Sequence, residues 1–414
     1  MHLPTHSLRL STALAAALAL AGSIQTASAA EGEKSFEVYG FAQLDYTQDF
    51  GRVNPDWEDA LRPSRIGIDE EQYGDDGQSS FSVKQSRLGV KATVPTAKGD
   101  INTKFEFDMF GVGDDAGQTT IRLRHAYGEF GQFLAGQTNS LFMDGDIFPN
   151  TVEYWGPTGM VFLRNPQIRW TPVKGANNFA VAIENPSNDI DSGQFREVAD
   201  FPGAQGDQEW PDLTGQFRHD ADWGHAQIAG ILRWVGTEVI GDTAAPGDPE
   251  DLGVVYDDND TGWGINLTTA INVFERDAIR FGYVFGEGIA SYMNDGGMDA
   301  GPNQGLLPDG SLPGGTKIEA VELTGLSLYY DRWWSDQWSS SAGYSYTEVD
   351  NTAGQTGDTY EKGQYASANL LYYPVENVLV GAEVIWGELS VKDGRDNDAT
   401  RIQITFKYNF SAKL

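Results

Sequence analysis

Arg122 and Arg124 stand two residues apart, Lys104 lies in the segment before them and Arg169 in a segment after. A guanidinium presents a planar fork that holds both oxygens of a carboxylate, and several of them around one water-filled space attract anions. The spacing matters only on extended backbone, where alternate residues share a face. Ile121, Leu123 and Tyr127 then fall on one face and Arg122 and Arg124 on the other. The same rule groups Arg87, Lys91, Lys104, Arg169, Arg218, Arg233, Arg280, Arg401 and Lys407 on polar faces. Two readings follow: a basic ladder lining a pore, or arginines that only pair with inward acids such as Glu106, Asp108 and Glu383.

Other chemistries find little support. Cysteine is absent, which removes disulfides and thiolate sites. No G-x-S-x-G string occurs, and past the first thirty residues the histidines are His125, His219 and His225. His125 shares the parity of Ile121 and Tyr127, a face turned away from any solute. The run 257–262 starts like a calcium loop, but Thr261 and Thr268 stand where ligands belong, so neither a metal nor a cofactor is expected. The stretch 111–117 is glycine-rich but lies between two strands, with no helix to complete a phosphate loop.

The elements that must position the cations read as strands. In 401–410 the odd positions are Arg401, Gln403, Thr405, Lys407 and Asn409, and the even ones Ile402, Ile404, Phe406, Tyr408 and Phe410. Alternation of this kind predicts strands at 36–46, 87–94, 101–110, 120–130, 133–138, 167–172, 178–184, 212–218, 225–235, 262–274, 279–285, 321–330, 339–347, 364–373, 378–386 and 401–410, about sixteen in all. Short turns take turns with long loops rich in Gly, Pro, Asp and Asn, chiefly 51–80, 139–165, 185–211, 236–261 and 286–317. The expected fold is all-β: a transmembrane up-and-down antiparallel barrel whose apolar faces meet lipid and whose polar faces meet the lumen. Residues 1–30 read as a signal peptide, with Arg9 ahead of a short Ala/Leu core and an Ala-Ser-Ala end, which leaves 31–414 as a single barrel domain. Export and a barrel point to the bacterial outer membrane.

The chain carries 28 basic and 60 acidic residues, a net charge of -32, which argues against nucleic acid as a partner. The acids concentrate in the long loops, as Asp56, Glu58, Asp59, Glu70, Glu71 and Asp75 in one and Asp248, Glu250, Asp251, Asp257, Asp258 and Asp260 in another. They leave the lumen free to be basic and suit a surface facing lipopolysaccharide. Loop 139–165 differs, with Leu141, Phe142, Ile147, Trp155, Val161 and Phe162. Such content suits a loop folded inward to narrow the pore, with Asp144, Asp146, Glu153 and Arg164 as its polar contacts; the alternative is a loop that caps the barrel or touches another subunit.

The string RLRHAYGEFGQFLAGQTNSLF from Arg122, its continuation MDGDIFPNTVEYWGPTG, the VFLRNPQIRWT that ends at Thr171, and the opening FEVYGFAQLDYTQDF resemble the DcaP-like porins. The resemblance is strongest over 36–171. It implies a homotrimeric, sixteen-stranded outer-membrane porin that passes small anions, dicarboxylates among them. Two features depart from it: only Glu31 to Ser35 precede the first strand, where some members carry a helical segment, and Ser411 to Leu414 follow Phe410. A nonselective or cation-preferring porin, with entry governed by the loop acids, is the competing function; a barrel enzyme is a third.

Overall fold

The computed structural model describes residues 33–69, 72–74, 76–111, 119–197, 204–242, 252–310 and 313–413. The leader at 1–30, most of the glycine-rich stretch 111–117, and the loop acids Glu70, Glu71, Asp75, Asp248, Glu250 and Asp251 lie outside the described residues.

Sixteen antiparallel strands form the wall: β1 (Ser35–Asp49), β2 (Arg87–Thr96), β3 (Gly99–Asp108), β4 (Arg122–Phe130), β5 (Phe133–Asn139), β6 (Arg164–Val173), β7 (Asn177–Glu184), β8 (Asp212–Ala221), β9 (Gly224–Asp242), β10 (Leu252–Val273), β11 (Asp277–Glu287), β12 (Glu322–Ser335), β13 (Trp338–Asp350), β14 (Tyr360–Tyr372), β15 (Val378–Val391) and β16 (Asp396–Lys413). Each pairs with its chain neighbour, and β1 closes the ring on β16 from Glu37↔Lys413 to Asp49↔Arg401. Two short strands extend the wall: Gln78–Ser82 beside the upper part of β1, and Ala204–Asp207 beside Gly236 to Val239. Closure leaves no unpaired edge, which backbone in lipid requires.

The polarity of the wall is inverted. On β16, Arg401, Gln403 and Thr405 are buried while Phe406, Tyr408 and Phe410 are exposed; on β8 and β9, Leu213, Phe217, Ile228 and Leu232 are exposed while Asp212, Thr214, Gln227 and Arg233 are buried. The apolar faces therefore look outward, as the alternation predicts.

Three places depart from the sequence reading. The loop expected at 236–261 is mostly strand: β9 and β10 pair from Gly224↔Ile271 to Asp242↔Leu252, through one register shift at Val239/Ile240. Residues such as Thr237, Val239, Val254 and Tyr256 favour strands, and the acids around them conceal the pattern. Asp258 and Asp260, counted as loop acids, accept the backbone N–H groups of Ile318 and Ala320. The first loop is not wholly solvated either: Val53, Ala60, Leu61 and Ile66 are buried, and Asp59 pairs with Lys84. Finally, β3 and β4 shift register between Glu106 and Phe107, with Arg124 as the extra residue. This bulge reverses the parity beyond it. His125, expected on the outer face, is instead buried, with Nδ1 3.0 Å from Thr138 Oγ1.

The core lies inside the ring. Phe142, Met143 and Val161 of loop 140–163 pack with Ile289 and Tyr292 of the loop after β11, against Ile231, Val284, Leu323 and Val349 of the wall. Val53, Leu61 and Ile66 of the first loop pack on Tyr365, Ile385 and Leu389. Gly159 marks the closest approach, since a Cβ there would stand 2.1 Å from the Leu326 carbonyl oxygen and 2.3 Å from that of Tyr346.

The seam between β16 and β1 is held by a buried ion pair: Arg401 Nε and Nη2 donate to the two oxygens of Asp49 at 2.6 and 2.8 Å, and Nη2 donates to the Glu58 carbonyl at 2.8 Å. Removing one partner of such a pair strands a buried charge, at a cost of about 3–5 kcal/mol, whereas removing both with apolar replacements is nearly neutral. Arg401→Ala is therefore expected to lower the urea midpoint of the folded barrel in lipid vesicles clearly. The double variant Arg401→Met with Asp49→Leu should recover most of the loss.

Candidate functional site

Loop 140–163 lowers into the ring and follows its inner wall from β8 to β15. At its start Asp144 Oδ2 accepts from Thr268 Oγ1 at 2.6 Å and stands 2.7 Å from His225 Nε2. Burial opposes the Asp144 charge, but the His225 and Thr268 contacts outweigh it and hold the carboxyl below its usual range. Further along, Asn150 Nδ2 donates to Ser339 and Tyr373, and the Val152 N–H donates to Glu383 at 2.8 Å. The Thr158 N–H donates to Ser345 at 3.0 Å before the chain turns back. The return passes Tyr292, whose carbonyl accepts the Phe162 N–H, and closes where Ser140 donates to the Leu163 carbonyl.

Opposite most of that path runs the wall formed by β2, β3, β4, β5 and β6, which the loop touches through Tyr154, whose hydroxyl donates to Asp108 at 2.9 Å and accepts from Arg124 Nη1 at 3.2 Å. Its inward side is basic. Two acids serve the upper part: Glu106 lies 2.9 Å from Arg124 Nε, 3.2 Å from Lys104 Nζ and 3.6 Å from Arg87 Nη1, while Asp108 lies 2.9 Å from Arg122 Nη2 and 2.8 Å from Arg124 Nη1. Arg164, Arg169, Lys91 and Lys407 have no carboxylate within 4.0 Å among the described residues. Arg169 donates instead to Gln167 and to the Asn139 carbonyl, and Lys407 sits 3.9 Å over the Phe41 ring. Lys91 and Lys104 are direct cross-strand partners. Like charges placed opposite one another destabilise a sheet, and here Lys104 is compensated by Glu106 at 3.2 Å while Lys91 lies 4.3 Å over the Tyr39 ring.

Above this wall lies a cavity of about 330 Å³ lined by Arg62, Arg122, Arg164, Tyr154 and Trp155, with Asp189 as its carboxylate. Arg62 is held between two indoles, 4.5 Å from the Trp57 ring centre and 4.2 Å from that of Trp155, and its Nη2 donates to Asp295 at 2.8 Å. The rings and the carboxylate fix the fork in place. Buried Nε atoms of Arg65, Arg87 and Arg164 have no acceptor among the described residues. Burial and the charge of Arg62 hold the Arg65 guanidinium below its usual range. The arrangement offers forked donors and positive charge to an anion passing between loop and wall.

The sequence-predicted residues divide. Arg87, Lys104, Arg122, Arg124 and Arg169 come together on the wall of β2 to β6, where Arg124 is buried against Tyr154 of the loop, and Arg164 joins them. Arg218 and Arg280 point inward but on the far side, under the loop: Arg218 Nη1 lies 2.7 Å from Asp146 Oδ2 and 3.4 Å from Asp144, and Arg280 bonds Asp331 and the Asp146 carbonyl. Arg233 and Arg401 are fully buried, Arg233 between Asp212 and Asp299, Arg401 under the first loop. Parity alone put these four on a ladder; loops cover Arg233 and Arg401, whereas Arg218 and Arg280 stay partly exposed and are held by acids. Asp144 and Glu153 are buried and fasten the loop, whereas Asp146 is exposed and pairs with Arg218. Glu153 is buried and accepts the N–H groups of Leu61 and Gly156. Arg62 and Arg65 were not found from the sequence. They sit in an irregular segment without periodicity, and only the nearby Trp57 hints at a stacked guanidinium.

No curated protein matches the chain. Among solved structures, the outer membrane channel DcaP of Acinetobacter baumannii is 21% identical, with a TM-score of 0.73 over 92% of this chain and 99% of that one. The trimer form of OmpT from Vibrio cholerae is 13% identical, with a TM-score of 0.53 over 92% and 100%. An anion-selective porin from Comamonas acidovorans is 10% identical, with a TM-score of 0.55 over 91% and 100%. At these identities the likeness is one of fold. The sequence model of the DcaP outer membrane protein family is more specific: it matches residues 14–410, and the chain therefore belongs to that family of the bacterial outer membrane and is a porin.

Proposed function

We propose that this porin is a passive channel that prefers small anions, with dicarboxylates as the solute class, and that it works as a homotrimer exported by its N-terminal leader. One observation carries the reading: the inward loop packs along the far wall and faces a side that bears Arg87, Lys91, Lys104, Arg122, Arg164, Arg169 and Lys407, where Glu106 and Asp108 are the carboxylates within 4.0 Å among the described residues. Forks arranged at successive depths suit a solute with two carboxylates, which one group can release while the next engages it. Outer-membrane lipid and lipopolysaccharide surround the barrel, and the acidic loops face the medium. The trimer rests on the family resemblance; a native mass of one chain in mild detergent would exclude it.

A nonselective or cation-preferring pore is the competing reading, favoured by the acidic loops at the mouth. Reversal potentials across planar bilayers under a KCl gradient separate the two. Chloride is expected to be preferred, and a potassium preference would overturn the proposal. Because the Debye length shrinks from ~10 Å at 0.1 M salt to ~3 Å at 1 M, the preference should weaken markedly over that range.

Arg164→Gln and Arg169→Gln remove charge without stranding a carboxylate. A unit charge ~8 Å from the passing ion, at an effective dielectric constant of ~40, contributes about 1 kcal/mol, so each variant should lower the chloride permeability roughly fivefold and the chloride-to-potassium ratio by more. Unchanged ratios would place these guanidiniums outside the solute path. A panel of mono- and dicarboxylates competing with the chloride current tests the solute class, and equal blockade by both would sink the dicarboxylate assignment.

A further inference from the structure

The ring of strands closes, but one ladder within it stops part-way up. β4 and β5 pair from Phe130↔Phe133 at the short turn only as far as Ala126↔Gln137. Above that level Arg122, Leu123 and His125 of β4 keep partners on β3, and Thr138 and Asn139 of β5 keep partners on β6. The extra residue at Arg124 bends β4, as a bulge does, and draws its upper end away from β5. Two side-chain contacts bridge the gap in place of a backbone ladder: Gln137 Nε2 donates to the Leu123 carbonyl at 3.1 Å, and His125 Nδ1 stands 3.0 Å from Thr138 Oγ1.

The gap lies at bilayer depth. Phe130, Phe133 and Trp170 are exposed and form the aromatic row beside the short turn. On a strand tilted about 40° that rises about 3.3 Å per residue, Gln137 stands about 10 Å above Phe133, inside an apolar band about 25 Å tall. β5 has seven residues, where a spanning strand takes about 9–11. Gln137 shares the outward parity of Phe133 and Ala135, and among the described residues nothing donates to its Oε1. Backbone and amide groups left open at this depth need a partner that can bond them, and lipid tails cannot.

The same gap reaches the basic cavity. Leu123 and Gln137, side chains of the outer face, line that cavity together with Arg62, Arg122 and Arg164. It therefore runs between β4 and β5 to the outside of the barrel, and the described residues of one chain do not complete its wall. The outer face beside the gap is also low in relief: Thr103, Gly128 and Ala135 form one row across β3, β4 and β5. The row facing out on the opposite wall is Phe281, Leu328 and Tyr344. Small side chains let a neighbouring backbone approach closely within the membrane.

We propose that a second copy of this chain covers the outer face of β3 to β6 and closes the gap above Ala126 and Gln137, so that the basic cavity is walled on all sides only in the assembly. The cover must be polypeptide, because it has to exchange hydrogen bonds in hydrocarbon. Every barrel carries the same gap, and copies set about a common axis supply one cover apiece. The placement rests on the homotrimer reading and makes the subunit contact part of the cavity.

Because the chain has no native cysteine, single nitroxide labels read this face directly. Ala135→Cys lies beside the gap, and Ala342→Cys lies exposed on the opposite wall. The full-length porin, labelled at one site at a time in lipid vesicles, gives two readouts: collisions with dissolved oxygen, which concentrates in hydrocarbon, and distances between labels on different chains. The label at Ala135 should meet oxygen severalfold less often than the one at Ala342 and should give the shorter interchain distance. Matching collision rates at the two sites would mean that lipid covers the gap, and protection at Ala135 without a short interchain distance would mean some other cover; either result overturns the proposal. Thr103→Cys reads the same face if Ala135→Cys does not fold. The native mass separates this placement from the trimer beneath it. A single-chain mass removes both, whereas a trimer in which Ala135 stays open to oxygen refutes the placement alone. No solute is present, so neither result depends on the anion preference.

Discussion

Backbone in hydrocarbon has no water to bond, and a closed ring of strands is the arrangement by which this chain meets that constraint. Everything else is a consequence of closing it. Once β1 pairs with β16 through thirteen residues, from Glu37 to Asp49, every strand has one face in lipid and one in the lumen. The lipid face must be apolar, which sends the polar residues, the arginines among them, inward. The ring thus concentrates charge in its interior as a by-product of satisfying its backbone. What the protein does is decided by how that interior is then partitioned.

The partition is made by loops. Those at 51–69, 140–163 and 286–299 bring apolar side chains into a polar lumen, and they can remain there because they pack on one another and on Ile231, Val284, Leu323 and Ile385 of the wall. The cations beneath them are used as fasteners, Arg401 to the seam, Arg233 to Asp212 and Asp299, Arg218 to the loop acids. The cations opposite them are left beside water. The acidity of the sequence as a whole has no bearing on this passage, because many of the acids lie in the long loops and those inside are largely consumed in pairs.

The sequence revealed the ring more fully than the site. Alternation such as that of Ile402 to Phe410 reports directly which face a residue takes, and each of the sixteen segments read this way corresponds to a strand. The pattern fails in the far parts of β9 and β10, where Gly236, Glu238, Asp257, Asp258, Asn259 and Asp260 interrupt the alternation, and the paired strands read as loop. Parity also assumes an unbroken ladder. One extra residue at Arg124 reverses it and moves His125 from the lipid face to the interior. A larger gap is that parity separates inside from outside but not covered from uncovered. Arg169 and Arg401 are alike in sequence, and only the distant loop that settles over one of them makes the difference. Arg62 and Arg65, on irregular backbone, carry no periodic signal at all.

The central claim is therefore a division of the lumen into a covered half and an open basic half. The absence of native cysteine allows it to be tested by placing single cysteines and reacting them with a small, water-borne anionic thiol reagent during current recording. Lys91→Cys and Arg169→Cys, on the uncovered wall, should react quickly and reduce the current. Ser345→Cys and Ile231→Cys, inward on the opposite wall but under the loop, should stay protected. Equal reaction at Ser345→Cys and Arg169→Cys would show that the loop does not cover that wall, and the account of the pore would be wrong.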